Sequence, residues 1–262
     1  MNGYSRIVVG SDGSALARDA VAVAGVLAMR MSLPVTAVTA WKSELAVPGA
    51  RELPWAELTT QGADVDLSGA GVRGVVRVEA NGDPAESLIE VATGDGDALL
   101  VVGAQGLSSA TSRLTGSTSN QLSHNSPVDV LFVRKRIAAF ESIALATDGS
   151  ETSLRAVSRG YAFAAALGAG VTLVTVAASV SAGDELLEKV AAQLAVEHPE
   201  LSVQRRAFTG SAADVLASDT GEYDVLVLGN RGMSGFARVL GSTANTITHR
   251  AATNLLLVNT TH

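Results

Sequence analysis

Two glycine-rich segments follow apolar runs in the sequence, and their composition suits phosphate binding. The first, residues 103–117, has the sequence GAQGLSSATSRLTGS and comes directly after the apolar run DALLVV at residues 97–102. Glycine exposes backbone N–H groups, because it reaches positive φ and has no Cβ. A following helix adds unpaired N–H donors and a partial positive charge. The segment therefore predicts a phosphate-binding loop between a buried strand and a helix.

The spacing of this segment returns in the second half of the chain. The first copy is Gly103-x2-Gly106-x9-Gly116, and the second is Gly229-x2-Gly232-x8-Gly241, which is one residue shorter. A flexible turn with Ser and Thr as helix caps is the alternative for a single loop, and the recurrence favours phosphate binding. Other phosphate motifs are excluded: no lysine follows a glycine, and GAGVRG at residues 69–74 precedes an expected strand instead of following one.

The rest of the chain is duplicated as well, which predicts two domains. RIVVGSDGS at residues 6–14 returns as SIALATDGS at 142–150, and the tail of each loop also returns, at residues 116–133 and 241–258. We expect domains at 1–137 and 138–262, joined by a hinge at 134–140.

Within each half, Val-, Ile- and Leu-rich runs alternate with Ala-rich segments, a pattern typical of βαβ units with a parallel sheet. The expected class is α/β, with two doubly wound parallel five-stranded sheets, each flanked by helices on both faces. Asp83 before Pro84 predicts one helix start, and a capping box of Ser211 with Asp214 predicts another. The expected strands are 5–10, 34–41, 72–79, 97–103, 128–134, 142–147, 170–177, 201–208, 223–229 and 254–259. The expected helices are 15–31, 54–67, 84–93, 117–125, 151–167, 183–197, 211–220 and 242–251.

Composition narrows the function classes. The net charge of −7 with no basic half argues against a nucleic-acid partner. The sequence has no cysteine, which excludes disulfides, thiolate nucleophiles and zinc-finger sites. No apolar run reaches the ~18–20 residues of a membrane span, and no signal segment precedes the first strand, so we expect a cytoplasmic protein without membrane partners.

With its strand-end DGS motifs, its G-x2-G-x9-G-[ST] loop and its duplication, the chain resembles a tandem universal stress protein of the ATP-binding branch. The resemblance covers nearly the whole sequence. It implies strand order 3-2-1-4-5 in each domain, with ATP and Mg²⁺ bound between the first and fourth strands. It also implies a pseudo-dimer of the two domains through their last strands, with a homodimer as a further option.

The resemblance also implies a set of nucleotide-binding residues. Asp12 and Asp148 would lie beside the ribose and phosphates and hold Mg²⁺ directly or through water, while Ala40 and Val176 would meet the adenine through backbone groups. Ala244 stands where Ser119 stands and lacks a hydroxyl. The full set in the first half is Ser11, Asp12, Ala40, Gly103, Gln105, Gly106, Gly116, Ser117, Thr118 and Ser119. The set in the second half is Thr147, Asp148, Val176, Gly229, Arg231, Gly232, Gly241, Ser242 and Thr243.

Some of these residues have a structural alternative. Asp12 and Asp148 could be turn residues that bond their own backbone, as Asp-Gly-Ser often does. His124 and His249 correspond between the halves, and we expect them to interact with helix dipoles instead of doing chemistry. Arg231 replaces Gln105 between the paired glycines, and a guanidinium suits phosphate. We therefore expect both halves to bind nucleotide, with the first half less sensitive to salt.

Three functions remain open from the sequence. The first is a nucleotide-dependent regulatory module in stress response, without a catalytic residue. The second is an enzyme, either a slow ATPase or an adenylyl transferase, which the same general fold allows by analogy alone. The third is a scaffold without ligand, which two glycine-rich loops argue against.

Overall fold

The computed structural model of the chain describes residues 3–41, 54–104, 118–198, 202–230 and 242–261. The chain divides into two compact units. One contains Tyr4–Leu122 and Ser126–Ala138, and the other contains residues 123–125 and those from Ala139 onwards. The expected boundary between residues 137 and 138 lies one residue from the division at Ala138, whereas residues 123–125 fall in the other unit, and the domain limits stay a prediction.

The first half is a parallel sheet with helical connections. Among its described residues the strands pair in the order β3-β2-β1-β4-β5. The order reverses between β1 and β4, where an open α/β sheet leaves a crevice at the carboxyl ends of its strands. In chain order the elements are β1 (Arg6–Gly10), α1 (Ala15–Met31), β2 (Val35–Trp41), α2 (Pro54–Gly69), β3 (Val76–Asn81), α3 (Pro84–Ala92), β4 (Ala98–Gly103), α4 (Thr118–Asn125) and β5 (Asp129–Val133).

The second half repeats this arrangement. Its described strands pair in parallel in the order β8-β7-β6-β9-β10, which is again 3-2-1-4-5 within the half. The α/β class and this order are confirmed, whereas the finer expectation of two separate five-stranded sheets is not exactly reproduced. The elements are β6 (Ser142–Ala146), α5 (Glu151–Leu167), β7 (Gly170–Ala177), α6 (Val180–Glu197), β8 (Val203–Thr209), α7 (Ala212–Ser218), β9 (Val225–Gly229), α8 (Ser242–Arg250) and β10 (Asn254–Val258).

The central strands and the first helix of each half form the core. Every residue of β5 and the first five of β4 are buried, as expected for strands covered on both faces. The buried side of α1 consists largely of Ala and Val, with Leu27 as its largest buried side chain. Because these side chains are small, the helix can lie close to the strands, and this close packing shapes the crevice.

Two element starts differ from the sequence expectation by three or more residues, and each difference has a local cause. The strand β3 begins at Val76 instead of residue 72, because Gly71 and Gly74 have φ values of +97° and +68°, in the left-handed region that a strand does not use. The helix α6 begins at Val180 instead of residue 183, because the Ser179 side chain caps it by accepting a hydrogen bond from the Ala182 N–H.

The predicted helix starts have different outcomes. Asp83 caps α3 as expected, accepting hydrogen bonds from the N–H groups of Ala85 and Glu86, with Pro84 at the first helical position. Ser211 is the N-cap residue of α7, so this helix begins where the sequence predicts, but the capping box is wrong, because the Ser211 side chain makes no hydrogen bond to the backbone of α7. Asp214 instead accepts a hydrogen bond from Arg250 at 2.6 Å, on the neighbouring helix α8.

Within the described part of the chain, no helix combines the length and apolar character that crossing a membrane requires.

Candidate functional site

A cavity of about 340 Å³ lies in the first half, at the carboxyl ends of β1, β2 and β4. Its volume is at the lower end of the range of small-molecule sites. The first turns of α1, α3 and α4 complete the wall. The lining residues are Gly10, Ser11, Asp12, Ser14, Leu16, Ala17, Val38, Ala40, Pro84, Leu88, Val102, Gly103, Thr118 and Ser119. The cavity therefore occupies the crevice where the strand order reverses.

The loop between β1 and α1 presents one carboxylate to this cavity. The Asp12 carboxylate accepts a hydrogen bond from the Ser14 N–H at 2.9 Å, so the aspartate does bond its own turn. The turn needs Gly13, whose φ is +75°. The Ser14 side chain then caps α1 by accepting from the Ala17 N–H. One Asp12 oxygen is thus used in the turn, and the exposed carboxylate retains capacity for a ligand.

The helix α3 supplies the apolar wall and is fixed at both ends. Asp83 caps its N-terminus, and the Arg6 guanidinium donates to the carbonyl oxygens of Val91 and Ala92 at 2.8 and 3.0 Å near its C-terminus. A cation is favourable there because it meets the negative end of the helix dipole. The two anchors hold Pro84 and Leu88 at the cavity.

The end of β4 lies so close to α1 that only glycine fits. A Cβ on Gly103 would lie 2.9 Å from the backbone carbonyl atoms of Leu16. The buried Ser119 hydroxyl donates to the Gly103 carbonyl oxygen at 3.0 Å, which ties the first turn of α4 to the same strand end. The glycine that the sequence singled out therefore has a packing role as well as a place in the cavity wall.

The cavity is lined by both apolar and polar residues. Val38, Ala40, Pro84, Leu88 and Val102 provide an apolar part. The polar part comes from the carboxylate of Asp12, the hydroxyls of Ser11, Ser14, Thr118 and Ser119, and the helix starts beside them. Such a surface suits a ligand with a flat apolar end and a polar, hydrogen-bonding end.

The corresponding loop of the second half is bonded differently. The Ser150 N–H and hydroxyl both donate to Asp148 Oδ1, at 3.0 and 2.6 Å. The buried Thr147 and Ser153 hydroxyls lie 2.9 Å apart, and Ser153 also donates to the Ser150 carbonyl oxygen. Burial raises the pKa of Asp148, but the hydrogen bonds from Ser150 and Ser153 outweigh it and hold this pKa below its ordinary value.

The structure brings together the described members of the first predicted set. Ser11, Asp12, Ala40, Gly103, Thr118 and Ser119 all line the cavity. In the second half Thr147, Asp148, Val176, Gly229 and Thr243 lie at the corresponding strand and helix ends, and Ser242 begins α8. Buried Ala244 lacks the hydroxyl of Ser119, as expected. Gln105, Gly106, Gly116, Ser117, Arg231, Gly232 and Gly241 lie outside the described residues, so the loop assignments stay a prediction.

Sequence reasoning did not identify the α3 wall or the start of α1. Pro84 was predicted as a helix start and Leu88 was not singled out, although both line the cavity. The topology is the signal that could have identified this wall, because the helix that follows β3 must pass the crevice beside β1. His124 and His249 lie in the last turns of α4 and α8, as expected for residues that interact with the negative ends of the helix dipoles.

Among the residues that the structure describes, no group of three or more His, Cys, Asp or Glu side chains is placed to hold a metal ion. A magnesium ion needs fewer protein ligands when it is bound with a nucleotide, because it uses one or two carboxylates together with phosphates and waters. The single carboxylate of Asp12 in the cavity fits that mode.

Comparison with known proteins relates the whole chain to one family. The model of the Universal stress protein family matches residues 3–134, 139–207 and 179–259. A universal stress protein of Mycobacterium tuberculosis is 30% identical over an alignment of 149 residues, which covers 48% of this chain and 100% of that protein. One such protein therefore corresponds in length to about half of this chain.

Solved structures show the same fold. The crystal structure of a universal stress protein from Archaeoglobus fulgidus has a TM-score of 0.75, covers 98% of this chain and 97% of its own, and is 16% identical. At that identity the likeness concerns the fold alone. A universal stress protein in complex with cAMP is 29% identical, covers 50% of this chain and 97% of its own, and has a TM-score of 0.45.

Proposed function

The chain belongs to the universal stress protein family, and from that premise we propose that its first half binds an adenine nucleotide, with ATP as the main ligand. The protein would then act as a nucleotide-dependent regulatory module in stress response. The observation that carries the proposal is the cavity at the β1–β4 reversal, whose lining combines apolar side chains that suit a base with polar groups that suit a phosphorylated sugar.

The apolar residues of the cavity suit the adenine ring. Val38 and Ala40 come from β2, and Pro84 and Leu88 come from α3, so that a flat ring could lie between a strand end and a helix start. Leu88 is 5% exposed and Val102 is also 5% exposed, which gives the cavity firm, closely packed walls at these residues. Burial of an aromatic base there would contribute most of the apolar contact area.

The polar residues of the cavity suit the ribose and phosphates. The Asp12 carboxylate is placed to accept from a ribose hydroxyl or to hold Mg²⁺, directly or through water. The helices α1 and α4 begin at the cavity, and their first N–H groups favour an anion. Mg²⁺, when bound, would offset the negative charge that Asp12 and the phosphates bring together.

Fast phosphoryl transfer is not part of the proposal. That reaction requires a metal, in-line positioning and usually a cation on the transferred group. The described residues that line the cavity include no lysine, arginine or histidine. We therefore propose binding with turnover below ~1 s⁻¹, the lower end of ordinary enzymes.

The proposal is tested by nucleotide extraction and titration calorimetry. Denaturing the purified protein would release any retained nucleotide for identification, and ATP, ADP and cAMP are then titrated separately with Mg²⁺ present. We expect ATP to bind, and Asp12→Asn to weaken it tenfold or more, because a charge-assisted hydrogen bond contributes about 1.5–3 kcal/mol.

Asp66→Asn is the matched control, because Asp66 is an exposed carboxylate of α2 that does not line the cavity. It should bind ATP like the unmodified protein. If ATP, ADP and cAMP all fail to bind the unmodified protein at millimolar concentration, the proposed function is wrong. ATP turnover above ~1 s⁻¹ would instead favour the enzyme alternative.

A further inference from the structure

We infer that the first half is the tighter nucleotide site of the chain, because the corresponding hydroxyl and carboxylate groups of the second half bond one another. The inference rests on the proposed function and specifies its stoichiometry: one tightly bound nucleotide per chain, in spite of the duplication. The sequence-based expectation that both halves bind is thereby narrowed to one tight site and one at least tenfold weaker.

In the first half, the polar side chains at the end of β1 can accept further hydrogen bonds. The Ser11 side chain accepts one long hydrogen bond, 3.4 Å from the Gly13 N–H. Asp12 accepts from the Ser14 N–H through one oxygen. Within the described ranges, no further hydrogen bond to either side chain is found, so both can turn to a ligand in the cavity that they line.

In the second half, the equivalent groups bond one another. Thr147 Oγ1 accepts from the Gly149 N–H at 3.1 Å and lies 2.9 Å from Ser153 Oγ. Asp148 Oδ1 accepts twice from Ser150, through its N–H and its hydroxyl. Thr147 and Ser153 are 6% and 7% exposed, so that a ligand would have to displace buried, satisfied partners.

One position accounts for most of this difference. Residue 17 is Ala in the first half, and its counterpart in the second half, residue 153, is Ser. Ala17 lines the cavity, and its methyl group offers no hydrogen bond to Ser11. The Ser153 hydroxyl, by contrast, contacts both Thr147 and the Ser150 carbonyl oxygen. A single hydroxyl therefore links the end of β6 to the first turn of α5.

Two further differences between the halves accompany the change at residue 153. The Asn230 side chain, which follows β9, accepts from both the N–H and the hydroxyl of Thr260. In the first half the corresponding residue is Ala104, which has no such side chain. Buried Ala244 also cannot provide the hydroxyl with which Ser119 ties α4 to the end of β4. The end of β9 and the first turn of α8 thus also differ from their counterparts in the first half.

The hydrogen bonds among Thr147, Ser153, Asp148 and Ser150 should lower the affinity of the second half for nucleotide considerably. Leaving a buried donor or acceptor unsatisfied costs about 1–3 kcal/mol, and 1.4 kcal/mol corresponds to a tenfold change in affinity. Displacement of one buried hydroxyl contact should thus weaken binding to the second half by roughly tenfold or more.

Titration calorimetry with ATP and Mg²⁺ tests the inference. We expect one tight site per chain in the unmodified protein, and we expect Asp12→Asn to weaken it tenfold or more without exposing a second site of the original affinity. Ala17→Ser, which gives the first half the hydroxyl of the second, should weaken binding tenfold or more. Ser153→Ala is the matched control and should leave the first site's Kd unchanged.

The possible outcomes separate the two proposals. Two equivalent sites per chain, or a site of unchanged affinity in Asp12→Asn, would leave nucleotide binding intact but overturn the inference. Unchanged affinity in Ala17→Ser would overturn the role assigned to the hydroxyl at this position. Absence of binding in the unmodified protein would overturn the proposed function itself. Tryptophan fluorescence during urea unfolding checks that Ala17→Ser remains folded, since both tryptophans, Trp41 and Trp55, lie in the first half.

Discussion

Replacing Gly103 by alanine should damage the first half at the point where β4 meets α1. The added Cβ would lie 2.9 Å from the Leu16 carbonyl carbon and oxygen, whereas an ordinary contact is 3.4 Å or more. The strand and the helix must therefore separate by about 0.5 Å. Both contacting atoms belong to backbone, so no side-chain rotation can relieve the overlap, and overpacking of this kind typically costs about 1–3 kcal/mol.

Urea unfolding followed by tryptophan fluorescence measures this change selectively, because both tryptophans lie in the first half. With a urea dependence of about 1–3 kcal/mol per molar, the midpoint should fall by roughly 1 M. The same shift would displace the walls of the cavity, so that ATP binding should weaken as well.

Gly62→Ala is the matched control for this glycine substitution. Gly62 lies on the exposed side of α2, and a Cβ there would meet no atom within 4 Å. Alanine should raise the free energy of unfolding by about 0.5–1 kcal/mol, because glycine is unfavourable inside a helix. If Gly103→Ala instead unfolds at the same urea concentration as the unmodified protein, the close approach of β4 to α1 does not govern the stability of this half.

Two further predictions concern aspartates that accept backbone hydrogen bonds. Asp83→Ala should lower the free energy of unfolding of the first half by about 0.5–2 kcal/mol in the same fluorescence assay, because α3 loses its cap. Asp148→Asn should destabilise the second half near neutral pH and less so in acid. The folded-state pKa of Asp148 is lowered, so its contribution is complete above the unfolded pKa and is lost as the pH falls through the folded value. Urea unfolding followed by circular dichroism at several pH values measures this, and an effect independent of pH would contradict it.

The sequence predicts the fold well where hydrophobic periodicity and duplication agree. Strand β4 and helix α1 lie within a residue of their expected positions, since the apolar run of one and the Ala-rich pattern of the other are long and clear. The start of β3 could not be predicted from apolar residues alone, because Val72 is buried but lies between Gly71 and Gly74, which adopt left-handed backbone conformations. Backbone conformation overrides hydrophobicity there.

The sequence predicts the residues at the strand ends of the candidate site, but it predicts few of the residues that form the cavity walls. Asp12 and Gly103 follow from motifs that mark the ends of strands. Leu88 belongs to an ordinary amphipathic helix, and its place at the cavity depends on how α3 is anchored by Asp83 and Arg6. Those contacts join residues far apart in sequence, which pattern analysis of a single chain does not connect.

If the second half has lost its tight site, as we infer, the duplicated backbone has done so without losing its fold. The end of β1 bonds to β2 through the Ser11 N–H and the Val38 carbonyl at 2.9 Å, and the equivalent bond from Thr147 to Val174 is also 2.9 Å. Both strands are followed by a serine that caps the next helix. These main-chain features keep the aspartate in place whether or not a ligand is bound. Retention of an aspartate in the second half therefore needs no nucleotide, because Asp148 organises its own turn, and the hydroxyl of Ser153 decides what else that turn can bind.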